Sequence, residues 1–145
     1  MRGAHHLSHR CSVLVVDSDP ATRELLTVAL EYEGYAAAAV ANGREALHHL
    51  RSHAETCIIL TELVLPVMDA RHFRTLLLHD RSLAWIPLIA MSAVTDGDRR
   101  ARELGARFFL NKPLNLDELR QALRRIECCR IRARAPGLEV PALRM

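Results

Sequence analysis

The chain has 145 residues, of which 50% are hydrophobic and 26% charged, and its formal net charge is +3. This length suits one domain that buries its own core, and it leaves no room for a second folded domain. The composition excludes a disordered chain, and no apolar stretch reaches the roughly 20 residues of a membrane-spanning helix.

The amino terminus carries His5, His6 and His9 in place of an apolar signal core, and the four cysteines form no paired CxxC motif. We therefore expect a reduced, cytoplasmic protein with a flexible segment over residues 1–10. The three histidines and Cys11 lack a fixed geometry, so we interpret them as opportunistic metal binders rather than as a metal site.

Short apolar runs alternate with helix-like segments along the chain, which predicts a parallel sheet covered by helices on both faces. The first strand is predicted over Ser12–Val16. Asp19 can cap the following helix, and Pro20 suits its first position. That helix is predicted to end at about Glu33, before Gly34.

Four more apolar runs predict the other strands, over residues 35–40, 57–60, 87–91 and 107–110. The third run is unbroken, as in strands buried on both faces, and it ends at Thr61 and Glu62. The sequence therefore predicts a doubly wound α/β fold with five parallel strands.

Capping residues predict the starts of the later helices. Asn42 precedes the second helix and Asp96 can cap the fourth, which ends at Gly105. Asn115 and Glu118 form a capping box before the last helix. That helix carries a core stripe at helical spacing, formed by Leu116, Leu119, Leu123 and Ile126.

The folded domain is predicted over residues 11–127, and residues 128–145 are predicted to form a basic, mobile tail. This tail contains two prolines and no helical period. Its arginines can attract nucleic acid, but no reading helix accompanies them, so we do not expect nucleic-acid binding.

The functional crevice of a doubly wound sheet lies at the carboxyl ends of its strands. In this sequence, polar side chains come directly after the predicted strands, at those ends. They are Asp17, Ser18, Asp19, Glu62, Ser92 and Lys112. Phosphoryl transfer to a side chain requires carboxylates that hold Mg²⁺, a carboxylate nucleophile, and ammonium and hydroxyl groups that contact phosphate.

The strings VLVVDSDP, TELVLPVMDA, IPLIAMSA and GARFFLNKP carry these residues. In this order and spacing they resemble the response-regulator receiver domains of bacterial two-component signalling. The resemblance covers residues 11 to about 127. It implies a (βα)5 flavodoxin-like receiver fold and a signalling role without enzymatic activity. Lys112, the single lysine among 20 basic residues, stands where that family places its phosphate-contacting lysine.

Two site positions depart from the family pattern. The family's phosphoacceptor aspartate falls on Glu62, and the second acid of its amino-terminal pair falls on Ser18, while Asp17 matches the first acid. The longer glutamate displaces its carboxylate by roughly 1 to 1.5 Å, and errors of that size cost about a hundredfold in rate. We therefore expect no phosphorylation at Glu62, and Mg²⁺ bound weakly or not at all by Asp17, Asp19 and Glu62.

Without a metal, we hypothesise that Glu62 pairs with Lys112, which places a fixed charge pair where an acyl phosphate would form. A third departure is Ala70, where the family usually has glycine after Asp69. It predicts an altered turn after Pro66 if a positive φ is needed there.

The family resemblance also implies a switch and a docking surface. Ser92 and Phe109 match the family's hydroxyl and aromatic switch positions, although Phe109 as plain core is an equal alternative. Arg99 and Arg102 on the predicted fourth helix form a candidate docking surface. The implied partners are a histidine kinase or another regulator, or a second copy that binds through helix four, strand five and helix five.

The leading interpretation is a stand-alone receiver that acts by protein docking, independently of phosphorylation. The first alternative is a phosphorylatable receiver with an atypical acceptor, in which Asp17 and Asp19 hold Mg²⁺. The second is a small-molecule-binding or enzymatic domain on a flavodoxin-like sheet. Against it stands the lack of a glycine-rich phosphate loop between strand one and its helix.

Overall fold

The structure, a computed structural model, describes residues 11–134, with only the backbone course given for residues 127–134. Five strands alternate with five helices over this range. The strands are β1 (Ser12–Val16), β2 (Ala36–Val40), β3 (Thr56–Glu62), β4 (Leu88–Ser92) and β5 (Phe108–Asn111). The helices are α1 (Pro20–Tyr32), α2 (Gly43–Ser52), α3 (Ala70–Leu78), α4 (Gly97–Leu104) and α5 (Leu116–Arg134).

The strands form one parallel sheet in the order β2-β1-β3-β4-β5, which confirms the predicted doubly wound fold. The direction of winding reverses between β1 and β3, and ligands of such sheets bind at the carboxyl ends beside that reversal. Val16 of β1 lies opposite Thr61 of β3. The residues that come next, Asp17 and Glu62, are therefore neighbours at the reversal.

Two apolar clusters cover the two faces of the sheet. Because successive side chains of a strand point to opposite faces, Val13 and Val15 join the cluster under α1 and α5. Leu14 and Val16 join the other cluster, which packs under α2, α3 and α4. All seven residues of β3 are buried, as predicted for its central part.

β3 is longer than the predicted run 57–60, because Thr61 and Glu62 belong to the strand and do not follow it. Backbone pairing explains the extension. β4 pairs with Thr61 through Ala90 and with Glu62 through Met91, so two polar residues continue the ladder. Glu62 is therefore the last residue of β3 and does not belong to the following loop.

The helix caps follow the sequence signals at three of four sites. The Asn42 side chain accepts a hydrogen bond from the Glu45 amide at the start of α2. The Asp19 carboxylate accepts a hydrogen bond from the Thr22 amide at the start of α1. Asn115 accepts one from the Glu118 amide before α5. The predicted Asp96 cap is wrong: its φ of −100° and ψ of 24° are not extended, and its carboxylate accepts no capping hydrogen bond within the described chain.

α5 continues to Arg134, past the predicted end near residue 127. The other predictions for the two termini, flexibility of residues 1–10 and mobility of residues 135–145, lie outside the described residues.

In the loop between β3 and α3, the residue with a positive φ is Val67 and not Ala70. Ala70 is the buried first residue of α3, and no positive φ falls on it. Val67 has a φ of 67°, and the Met68 amide donates to the Pro66 carbonyl at 2.6 Å, which closes a γ-turn. A β-branched residue in this region of φ is strained.

Candidate functional site

The carboxyl ends of β1, β3 and β5 bring three charged side chains together. The Lys112 ammonium donates one hydrogen bond to Asp17 Oδ2 at 2.7 Å and another to Glu62 Oε1. Asp17 and Glu62 are buried, and the Lys112 side chain is 21% exposed. We call Asp17, Glu62 and Lys112 the charge cluster. The structure thus has the hypothesised Glu62–Lys112 pair and adds Asp17 to it.

The second oxygen of each carboxylate also faces a donor. Asp17 Oδ1 accepts from the Asp19 amide at 2.9 Å, and Glu62 Oε2 lies 3.4 Å from the Val64 amide nitrogen. Buried carboxylates need such partners because their charge has lost water. Each acid of the charge cluster is therefore held from two sides.

One ammonium lies between two buried carboxylates in the charge cluster. Burial by itself lowers the pKa of Lys112, but the hydrogen bonds to Asp17 and Glu62 outweigh it and raise that pKa above its usual value. Lys112 is therefore charged at neutral pH. Its loss would leave the two carboxylates close together without a cation.

Backbone contacts fix the positions of the charge cluster. The Asp17 amide donates to the Val40 carbonyl and the Lys112 amide to the Ser92 carbonyl, both at 3.0 Å. The Lys112–Pro113 peptide bond is cis.

Arg23 is a site residue that the sequence interpretation missed. Its Nη1 donates to the Asp17 carbonyl oxygen at 2.7 Å, from the first turns of α1. The sequence carries no signal for this contact, because its acceptor is a backbone carbonyl group.

The remaining predicted site residues do not join the charge cluster. The Ser18 side chain is exposed, and the Asp19 carboxylate turns to the amide and hydroxyl of Thr22. The hydrogen bond from the Thr22 side chain is the largest cause of the lowered pKa of Asp19. Ser92 is buried, and its Oγ accepts from the Val94 amide at 3.2 Å.

The donor set does not fit a divalent cation such as Mg²⁺. Among the described side chains, no group of three or more His, Cys, Asp or Glu residues is arranged to hold a metal ion. Of the candidate ligands, Asp17 and Glu62 both bind the Lys112 ammonium, and Asp19 caps α1. A hard cation prefers several free oxygen ligands, and here an ammonium lies between the carboxylates.

Phe109 packs against the start of α4. It is half-buried, and a methyl group added at Gly97 would lie 2.6 Å from Phe109 Cζ. The ring thus fills the space that the missing side chain of Gly97 leaves. Phe109 therefore packs at the start of α4, and its role as a switch residue stays a prediction.

Arg99 and Arg102 of α4 are exposed and paired with acids of the same helix region. Arg99 contacts Asp96 at 2.7 Å and Glu103 at 3.0 Å, and Arg102 contacts Asp98 at 2.7 Å. The predicted docking surface is therefore a set of alternating charges rather than a cationic patch. Over the described range, no helix has the length and apolar character needed to cross a membrane.

Comparisons with known proteins show the family of this chain. A model of the response regulator receiver domain family matches residues 13–124. The transcriptional regulatory protein TcrA of Mycobacterium tuberculosis is 35% identical over 138 residues, which cover 92% of this chain and 52% of TcrA. The chain spans about half the length of the curated relatives that it matches.

Solved structures show the same fold. The receiver domain of a signal transduction histidine kinase from Syntrophus aciditrophicus superposes with a TM-score of 0.76 at 27% identity, covering 89% of this chain and 97% of that one. The receiver domain of sensor histidine kinase PA1611 from Pseudomonas aeruginosa gives 0.75 at 26% identity, covering 82% and 98%. That structure has a magnesium ion coordinated in its active-site cleft. From its sequence and its fold, the present chain belongs to the response regulator receiver domain family.

Proposed function

We propose that this receiver domain acts by protein docking, independently of phosphorylation, in a two-component signalling pathway. The observation that carries the proposal is the Lys112 ammonium, which binds Asp17 and Glu62 at the same time. In this proposal the charge cluster occupies the place where a phosphorylated receiver would carry its acyl phosphate.

The chemistry of Glu62 supports this proposal. A nucleophilic carboxylate must present a free oxygen in line with the phosphorus atom, and here Oε1 is held by an ammonium. Charge-assisted hydrogen bonds of this kind are about twice as strong as neutral ones. The extra methylene of glutamate also displaces the carboxylate from the position that an aspartate would give it.

The Mg²⁺ requirement of phosphoryl transfer adds a second argument. We propose that the chain binds Mg²⁺ weakly or not at all, because Ser18 supplies no carboxylate and Asp17 is engaged by Lys112. Recruiting Asp19 instead would remove the side-chain cap at the start of α1.

The proposed partners are a histidine kinase or another regulator in the cytoplasm, as the resemblance implies. The α4, β5 and α5 face, with Arg99 and Arg102, is the candidate docking surface for such a partner or for a second copy. Because both arginines are already paired, exposed charges there contribute little net attraction. They select a partner with a complementary pattern of charges.

The test is the intact mass of the chain after incubation with a small phosphodonor and Mg²⁺. We expect the native chain to gain no phosphoryl group, while the double variant Ser18→Asp, Glu62→Asp gains one and serves as the positive control. A phosphorylated native chain would overturn the proposal. Mapping the modified side chain would then identify the atypical acceptor.

A further inference from the structure

An apolar groove of about 350 Å³ lies between α1 and α5, on the face of the sheet opposite α3 and α4. Eight large hydrophobic side chains are exposed in the described part of the chain, and four of them line this groove. They are Leu25, Val28, Tyr32 and Leu116, which are 54%, 60%, 87% and 44% exposed. Such a concentration of exposed apolar surface marks an interaction site.

The exposed charges beside the groove differ between its two helices. On α1, the exposed acids Glu24 and Glu31 lie four residues before and three residues after Val28, and therefore on the same side of the helix. On α5, the exposed Arg124 lies one turn after Arg120, which lines the groove. The groove therefore has an acidic rim on α1 and a basic rim along the second and third turns of α5.

The two rims lie side by side at one end of α1. Both helices run in the same direction, because each follows a strand of one parallel sheet. Glu33 Oε2 lies 3.6 Å from Arg120 Nε, so the carboxyl end of α1 is close in height to the second turn of α5. Glu31 and Arg120 are therefore at similar heights on opposite sides of the groove.

A second copy can place its own groove on this one in two ways that a two-fold axis allows. If the axis runs across the helices, α1 lies on α1 of the second copy, and Glu24 and Glu31 meet acids. If the axis runs along the helices, α1 lies on α5 of the second copy with all heights unchanged. Glu31 then faces Arg120 and Arg124 of the second copy, and the same contacts recur on the other side. Opposed like charges are costly, so the charge pattern selects the second arrangement.

We propose that two copies of this chain pair through the α1–α5 groove, with α1 of each copy packed on α5 of the other as a four-helix bundle. Leu25, Val28 and Tyr32 of each copy are then covered by the second copy. The face is roughly 20 Å long, the length of α1, and roughly 20 Å wide, two helix diameters. Interfaces of this small size are weak, so we expect a reversible dimer with a Kd on the order of 10 to 100 µM.

This pairing leaves the α4 surface of each copy free, because α4 packs on the opposite face of the sheet. The dimer would present two such surfaces on its outer sides. If α4 docks a signalling protein, which rests on the proposed function, a dimeric partner would bind both surfaces with avidity.

The test is sedimentation of the full chain from a few micromolar to about 1 mM. We expect the average mass to rise from that of one chain towards that of two. Val28→Ser should raise the dimer Kd at least about tenfold, since it places a polar side chain in the interface. Leu78→Ser, at a similarly exposed apolar position of α3, is the matched control and should leave the Kd unchanged.

A second arm reverses charges on exposed side chains, which leaves the fold intact. Glu31→Arg and Arg124→Glu should each raise the dimer Kd about tenfold, and the double variant should return it close to the native value. A chain that stays monomeric up to about 1 mM would overturn the proposal. So would a dimer that tolerates Val28→Ser and both charge reversals, because another surface would then form it. Phosphorylation is not measured, so the outcome is independent of the proposed function.

Discussion

Lys112 is the one cation that contacts both buried carboxylates of the charge cluster. Lys112→Met keeps the length of the side chain but removes its charge, so Asp17 and Glu62 repel each other without a cation between them. Breaking a buried ion pair from one side costs about 3 to 5 kcal/mol. Because Lys112 is 21% exposed, we predict a loss of about 3 kcal/mol in the free energy of unfolding, measured with urea at pH 7.

Arg102→Met on α4 is the control for this variant, because its ion pair is exposed and its removal should cost less than about 0.5 kcal/mol. Adding Glu62→Gln to Lys112→Met should recover part of the loss, since one of the repelling charges disappears. A Lys112→Met variant as stable as Arg102→Met would mean that the charge cluster is not formed.

The raised pKa of Lys112 gives the stability a pH dependence. A cation whose pKa is higher in the folded state adds to the free energy of unfolding. This addition is complete below the unfolded pKa, which is about 10.4 for lysine. It is lost as the pH rises through the pKa of the folded state. Glu62→Gln removes one cause of the rise. We predict that the stability difference between native and Glu62→Gln chains shrinks above about pH 10. A constant difference over that range would contradict the assignment.

The sequence predicted which residues lie together in the site, but it predicted their hydrogen-bond partners only in part. Strand ends placed Asp17, Glu62 and Lys112 at one edge, because parallel strands share a direction. The sharing of one ammonium between two acids depends on side-chain directions, which a pattern of residue types does not contain. Arg23 was missed for the same reason, because its contact is with a backbone carbonyl.

At the scale of elements, the packing of α4 against β5 depends on Gly97. A methyl group there would lie 2.6 Å from Phe109 Cζ, so Gly97→Ala must move the ring or the helix. Overpacking costs about 1 to 3 kcal/mol, and the better helix propensity of alanine returns up to about 1 kcal/mol. We predict a net loss of about 1 kcal/mol, measured by urea unfolding.

A double-mutant cycle gives the control for this contact. In the background of Phe109→Ala the clash is absent, so Gly97→Ala should be neutral or stabilising there. Equal costs in both backgrounds would show that Phe109 does not fill the space beside Gly97.

The β3–α3 loop holds Val67 in a strained conformation that glycine adopts freely. Val67 is 67% exposed, so little apolar burial is lost in Val67→Gly, and its φ of 67° no longer carries a penalty. Strain of this kind costs about 1 to 3 kcal/mol, and Val67→Gly relieves it. Part of this gain is lost again, because glycine gives the unfolded chain more conformational freedom. We predict that Val67→Gly raises the free energy of unfolding by about 1 kcal/mol.

Val64→Gly is the matched control, because Val64 is 52% exposed in the same loop and has no positive φ. It should lower the free energy of unfolding. If both glycine variants lower it equally, Val67 is not strained.

Elements with two independent signals were predicted well. α1 combines the Asp19 cap with Pro20, α5 combines the Asn115 cap with an apolar stripe, and both helices begin where the sequence indicates. The Asp96 cap rested on residue type alone, and the backbone angles there do not support it. The extension of β3 through Glu62 depends on pairing with β4, which lies outside any local window of sequence.

At the scale of the whole molecule, the winding of the sheet decides where the charges meet. The reversal between β1 and β3 sets Asp17 beside Glu62, and β5 brings Lys112 from 50 residues further along the chain. This arrangement was predictable because four blocks of sequence agree in order with one family. The predicted core stripe of α5 is wrong at Leu116, which is 44% exposed, whereas Leu119, Leu123 and Ile126 are buried. Helical spacing alone does not show how far the neighbouring helix covers an apolar residue.

The measurement that tests the charge cluster most directly is NMR of the Lys112 side chain. Lys112 is the only lysine, so a chain labelled in lysine gives one ammonium signal to follow against pH. We predict a pKa above about 10.4 that falls in Glu62→Gln and that millimolar Mg²⁺ and a small phosphodonor leave unchanged. An ordinary lysine pKa, or a signal that moves when Mg²⁺ is added, would show that Asp17 and Glu62 are free to bind metal and accept phosphate.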